Sequence, residues 1–262
     1  MKAAFYDNLI NMKFSIVIPC IPKHHKYLPK LVKFLVLNGS EIGEILIVTS
    51  STDEDTIQKL RTDLVYGDSG IEIVVIGTLS EKTAGENRNS GWNAASGEYV
   101  MFLDADDWYA NSRTHIISEA IKSSNADFVL HNYWKFKPKW FLENDILFNS
   151  DTWLKSKDLI ASTWEGKARN TDLERGLNGD TNVIARDKEG NSWPIQHGHV
   201  TIRKSVNIRF SKEYGEDGRI IRDALENGFE VLYLPNKLSI YNQISFNFAI
   251  RSVFRYLKGL LL

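Results

Sequence analysis

The chain has 262 residues, 43% hydrophobic and 25% charged, and its 32 basic and 33 acidic residues leave a formal net charge of −1. That length and mix suit one large α/β domain or two small ones and exclude disordered and fibrous classes. Charges of both signs are interspersed, which gives no basic stripe for nucleic acid, and the lone Cys20 excludes an intrachain disulfide or a cysteine-based zinc site. The same cysteine usage, with no secretory signal and no apolar run of membrane-span length, leads us to expect a cytoplasmic protein.

Phe14–Cys20 (Phe-Ser-Ile-Val-Ile-Pro-Cys) predicts a buried strand closed by Pro19 and Pro22, with Cys20 as a small core residue. Helical spacing then takes over at 25–37 through Leu28, Leu31, Val32, Leu35 and Val36. The intervening Lys23, His24, His25 and Lys26 read as a solvated basic turn or as a turn facing a diphosphate. Residues 44–49 predict a second strand, Thr52 with Asp55 a capping box for a helix reaching Arg61, and 71–76 a third strand. Strands alternating with helices imply right-handed crossovers and a mostly parallel sheet.

Residues 84–97 predict a helix closed by a left-handed Gly97, with Arg88 and Asn89 on its first turns. A guanidinium there could pair with phosphate and an amide with a base or ribose; a surface ion pair and a backbone bond are the plainer readings. Next comes the most informative stretch, Gly97-Glu98-Tyr99-Val100-Met101-Phe102-Leu103-Asp104-Ala105-Asp106-Asp107. Its unalternating apolar run suits a strand buried on both faces, and its three closing carboxylates would project into the crevice at the strand's carboxyl end. Such oxygens suit Mn²⁺ or Mg²⁺ shared with substrate phosphates, although an acidic turn capping the next helix would look the same.

A helix at 112–124 and a strand at 127–133 follow, then a polar, tryptophan-dotted, loop-rich insertion at 134–193 whose indoles, Trp193 among them, could stack on sugar rings. Glu216 and Asp217 open a helix that Asn227-Gly228 closes, and 229–234 predicts a strand stopped by Pro235. Carboxylates at a helix start are favoured by the helix dipole, and one beside a pocket can also serve as a general base. The tail, 244–262, is an amphipathic helix with Arg251, Arg255 and Lys258 off its apolar face. It would dock on the domain or on a second subunit, or lie on an anionic membrane.

Taken in order over residues 13–243, these motifs resemble the family 2 glycosyltransferases of the GT-A fold. The resemblance implies one Rossmann-like α/β domain with a mostly parallel central sheet flanked by helices, plus the C-terminal helix. Residues 13–109 would bind the nucleotide sugar and 110–243 the acceptor. It further implies an inverting, metal-dependent transfer of a sugar from a nucleoside-diphosphate donor to a hydroxyl of a glycan or lipid-linked acceptor, as in polysaccharide synthesis. By position, Asp104 and Asp106 would hold the metal, Asp104, Arg88, Asn89, Pro19 and Asp53 the donor, and Asp217 would be the base. Glu216, Trp193 and His199 would lie on the acceptor side. Two features depart from the family: Thr49-Ser50-Ser51 stands where paired aspartates usually help to read the base, and Tyr241-Asn242-Gln243-Ile244-Ser245 replaces a Tyr-Arg-x-His pattern. Asp53 or Asp55 could compensate for the first, and His197 or His199 for the second. A nucleotidyltransferase of related core and a non-catalytic sugar-nucleotide or glycan-binding protein remain open beside the transferase.

Overall fold

A computed structural model describes residues 12–67, 69–134, 152–163, 181–186, 188–195, 199–213 and 215–240. The amphipathic tail, the Tyr241 motif and His197 lie outside these residues. In chain order come β1 (Phe14–Cys20), a 3-10 turn (Pro22–Tyr27), α1 (Leu28–Asn38), β2 (Ile42–Thr49), α2 (Glu54–Asp63) and β3 (Glu72–Gly77). Then follow α3 (Ala84–Ala94), β4 (Tyr99–Phe102), β5 (Trp108–Tyr109), α4 (Arg113–Ser124) and β6 (Phe128–Trp134). The rest comprises β7 (Leu154–Lys155), β8 (Leu159–Thr163), β9 (Thr181–Arg186), β10 (Ser192–Ile195), β11 (Thr201–Arg203), α5 (Glu216–Glu226) and β12 (Val231–Ile240).

The main sheet has the order β3-β2-β1-β4-β11-β6-β12-β5, with β7 also on β12. Strands β3, β2, β1 and β4 run parallel, as the βα alternation predicts, and antiparallel β11 joins them to the parallel pair β6 and β12. Both faces are covered. Ile16 and Ile18 of β1 pack in one cluster with Leu31 and Leu35 of α1, Ile57 of α2 and Ile117 and Ile121 of α4. Val17 points the other way, into a cluster with Trp92 of α3, Phe102 of β4 and Ile220, Ile221 and Ala224 of α5. A strand buried on both faces has no polar alternation, which is why β1 and β4 are continuous apolar runs. Among the described residues no helix is long and apolar enough to cross a membrane.

Several local expectations are corrected. Helix α1 begins at Leu28, because Pro22 to Tyr27 form the 3-10 turn. The cap of α2 is Asp53, whose Oδ1 accepts from Thr56 N at 2.7 Å, while the Thr52 hydroxyl turns inward to Ser50 O at 3.0 Å. Helix α3 stops at Ala94 rather than at Gly97, which is not left-handed. Glu44 ends it: Oε1 accepts from Ser96 N (2.5 Å), Ser96 Oγ (2.7 Å) and Ser15 Oγ (2.5 Å), pulling the chain into line with β1 before β4 starts. Burial disfavours the Glu44 charge, yet these donors hold its pKa below the ordinary value. Pro235 does not stop the last strand. It falls at a register shift between Leu234 and Lys237, where the ladder needs no donor, and β12 resumes to Ile240. The insertion at 134–193 is not all loop, since β8, β9 and β10 form a three-stranded antiparallel sheet of order β10-β9-β8.

Candidate active site

The site is assembled at the carboxyl end of β4, where order β2-β1-β4 opens a crevice beside β1. Its hub is Arg88 on α3, 3% exposed. One arm, Nη2, donates to Asp104 Oδ1 at 2.7 Å, and the other, Nη1, donates to Glu216 Oε1 at 2.6 Å. The guanidinium also lies 5.4 Å from the centroid of the Phe210 ring. Burial opposes its charge, but Asp104, Glu216 and Asp217 outweigh burial and raise its pKa further. The acidic turn and the start of α5, 112 residues apart, thus share one cation.

Two devices bring α5 to this place. Gly215, its N-cap, has φ 81°, a left-handed conformation that a side chain would strain. Gly85, in the first turn of α3, leaves room for the segment before it: a methyl there would collide with Ser211 O and lie 3.3 Å from Glu216 Cγ. Asn89 completes the clamp. Its Nδ2 donates to Phe210 O at 2.8 Å and its Oδ1 accepts from Phe210 N at 3.0 Å, so its amide braces the chain instead of facing a base or ribose. We expect Gly85→Ala to push α5 away from α3, lowering stability by about 1–3 kcal/mol as overpacked sites do. Chemical denaturation measures this, and unchanged stability with unchanged turnover would show that the approach does not matter.

Asp217 sits beside Glu216, half-buried, with Oδ1 accepting from Gly218 N at 2.9 Å. Burial and the neighbouring Glu216 carboxylate raise its pKa, with Arg88 pulling the other way. Tyr133 of β6 lies close enough to Asp217 that, after burial, the carboxylate's charge raises the phenol's pKa. A half-buried carboxylate with a raised pKa is what general-base catalysis near neutral pH needs.

The three carboxylates of the acidic turn have different surroundings. Asp104 faces Arg88 on one side, and its N–H lies 3.4 Å from His199 Nε2 on the other. Asp107 is sealed at 1% exposure, with Oδ2 3.0 Å from His199 Nε2. Asp106 is the open one, 36% exposed at the side chain, and faces His24 Nε2 at 4.0 Å. Ligand atoms of Asp104, Asp107 and His199 all fall within 4.8 Å of one another, a set that could hold a metal ion. Burial, with Arg113 and Arg88 nearby, pushes His199 down to about 3 against the pull of Asp104, so its ring is neutral, the form that ligates metals.

Sequence reasoning passed over Arg113. It is wholly buried at the start of α4, donating through Nε to His131 Nε2 (3.1 Å) and through Nη2 to Phe102 O (3.3 Å) and His199 O (3.4 Å). It ties the end of β4 to the segment that leads into β11. Burial lowers its pKa to about 10. An arginine in the first turn of a helix looks like surface decoration in sequence, and only the sheet order shows that it points inward.

The other predicted residues lie on strands or at a helix cap. Pro19 is a buried residue of β1 opposite Val48, and Asp53 caps α2 at the surface. The segment standing in for the usual aspartates is an internal hydroxyl network: Thr49 Oγ1 meets Thr52 Oγ1 (2.7 Å) and His25 Nε2 (2.8 Å), and Ser50 Oγ accepts from Asn87 Nδ2 (3.1 Å). Burial, then the charge of His24, lowers the His25 pKa. Trp193 lies on β10 opposite Ala185, and its side chain is outside the described residues. Cys20 is buried, and burial pushes its thiol up to about 11, which suits a core residue.

Known proteins resemble this chain in sequence and in fold. The chain is 25% identical over 130 residues to the glycosyltransferase GlyA of Streptococcus pneumoniae, covering 49% of this chain and 18% of that protein. It is 22% identical over 122 residues to GlyG of the same organism, covering 47% of this chain and 39% of that one, so it spans well under half the length of either relative. Among solved structures, S. aureus TarS 1-349 in complex with UDP-GlcNAc superposes with a TM-score of 0.59 at 16% identity, over 89% of this chain and 59% of that fragment. The same fragment in complex with UDP gives 0.54 at 18% identity, over 87% and 59%. The sequence profile of Glycosyl transferase family 2 matches residues 15–199, from the first strand through the acidic turn to His199, and the chain belongs to that family.

Proposed function

We propose that the protein transfers a sugar from a nucleoside-diphosphate donor to an acceptor hydroxyl, with inversion at the anomeric carbon. The observation that carries this reading is the Arg88 bridge between Asp104 of the acidic turn and Glu216, the residue next to Asp217. Family membership and the TarS crystal structures with UDP-GlcNAc and UDP support a nucleotide-sugar donor. In this reading Asp217 accepts the proton of the acceptor hydroxyl as its oxygen bonds to the anomeric carbon. The bond from that carbon to the diphosphate breaks, and its electron pair leaves with the diphosphate. The neighbouring Glu216 carboxylate is engaged by Arg88 Nη1 at 2.6 Å. Arg88 itself brings fixed positive charge to the edge of the donor crevice, where the diphosphate gains negative charge.

The donor set fits a divalent ion. Asp104 and Asp106 offer hard oxygens on partly exposed side chains, whereas Asp107 and His199 are sealed from solvent. We assign Asp104 and Asp106 as the residues that would hold Mn²⁺ or Mg²⁺, with Asp107 and His199 orienting the turn. Such an ion supplies Lewis-acid charge to the diphosphate oxygens when bound. The acceptor is read as a glycan or a lipid-linked glycan, with the protein working at or near a membrane surface. Proton NMR of the reaction tests the whole reading. Release of nucleoside diphosphate with an inverted anomeric configuration in the product is expected. A retained configuration would overturn the mechanism, and release of pyrophosphate would point to nucleotidyl transfer instead.

A further inference from the structure

We propose that His24, in the 3-10 turn after β1, completes the metal site by lending its imidazole to the ion on Asp106, and that it thereby favours Mn²⁺ over Mg²⁺. This rests on reading the acidic turn as the donor's metal site. The geometry is specific. His24 Nε2 and Asp106 Oδ2 stand 4.0 Å apart, with the two side chains 22% and 36% exposed. That is too far for a hydrogen bond. Two ligands each about 2.1 Å from one ion lie about 3 Å apart when adjacent and about 4.2 Å apart when opposite, so the gap is one that an ion spans.

The neighbours leave this pair to face each other. Arg88 occupies Asp104 Oδ1, and His199 stands against Asp107. His25 turns inward to Thr49, so of the two histidines in the turn only His24 faces the acidic turn. The Tyr27 ring, 6.5 Å from the His24 ring, flanks it on its own turn. Both partners are exposed enough to leave coordination positions for phosphate oxygens. Imidazole nitrogen is a good ligand for transition ions and a poor one for Mg²⁺, which keeps oxygen and water.

The test needs no turnover. Mn²⁺ alone and Mn²⁺ with UDP are titrated into the full chain, following the free-ion signal by electron paramagnetic resonance, and Mg²⁺ is measured by competition. His24→Gln should weaken Mn²⁺ about tenfold or more, the scale of effect seen when residues supporting a metal site are lost, and should leave Mg²⁺ unchanged. Mn²⁺ should also broaden the His24 imidazole signals in the parent protein. If His24→Gln binds Mn²⁺ like the parent while Asp106→Ala loses it, the inference falls and the metal site stands, His24 being only a loose ion-pair partner. If the parent binds no Mn²⁺ with or without UDP, the metal reading falls and takes the inference with it.

Discussion

Asp217→Asn should lower turnover by about two to four orders of magnitude, the usual range for a lost general base, while donor binding persists. The isosteric amide keeps the shape of the site and can still accept from Gly218 N, which Asp217 Oδ1 does now. It cannot take a proton. The same substitution should raise stability at neutral pH, and the sign follows from the direction of the pKa shift. Burial and Glu216 raise the folded-state pKa above the unfolded value, so the folded state holds this proton more tightly. Stability is therefore lost as pH rises from the ordinary carboxylate range through the raised value, and the asparagine variant escapes that loss. The acid limb of the parent's pH–rate profile should accordingly lie above the usual carboxylate range. Thermal melts at acid and neutral pH, beside initial rates, check both parts. A variant that is less stable yet turns over normally per folded molecule would make Asp217 a helix-start residue and place the base elsewhere.

Asp106→Ala should abolish metal-dependent donor binding and leave the fold intact. The side chain is the most open of the three carboxylates in its turn and, among the described residues, its charged neighbour is the distant His24, so little packing is lost. Crowded carboxylates also repel one another without a cation, and removing one relieves that cost. Asp107→Ala is the contrasting case. Its carboxylate is sealed 3.0 Å from His199 Nε2, and truncation there should cost about 1–3 kcal/mol of stability, the scale of a disturbed buried polar contact. Isothermal titration with nucleotide sugar and Mn²⁺ separates the two. Parent-like affinity in Asp106→Ala, with loss in Asp107→Ala at full folding, would move the ion to the buried set of Asp104, Asp107 and His199.

The parallel half of the fold was legible because its signals are local. Apolar runs of strand length and helical spacing both act within a few residues. Two of the corrected boundaries were decided by distant partners. Glu44, 52 residues before Ser96, sets where α3 ends, and the bulge at Pro235 exists because β12 pairs with β6 on both sides of it. The site divides the same way. Strand-end carboxylates and an acidic pair at a helix start announce themselves in sequence. That Arg88 would join them, that Asn89 would brace Phe210 and that Arg113 would point inward are consequences of the sheet order, which single-residue patterns do not carry. The 3-10 turn left two readings for its histidines, and the structure divides them, His25 inward and His24 toward Asp106.

The central claim is that the crevice beside β4 takes a nucleotide sugar through a metal. Thermal melts of the full chain with a panel of nucleotide sugars, each with and without Mn²⁺, test it most directly. A ligand that binds only the folded state at about 100 times its Kd adds about 2.7 kcal/mol of stability, enough to move the melting temperature by several degrees. We predict that at least one nucleotide sugar raises it in Mn²⁺ and none does so when the metal is chelated. A panel without any shift, or a shift indifferent to metal, would contradict the account.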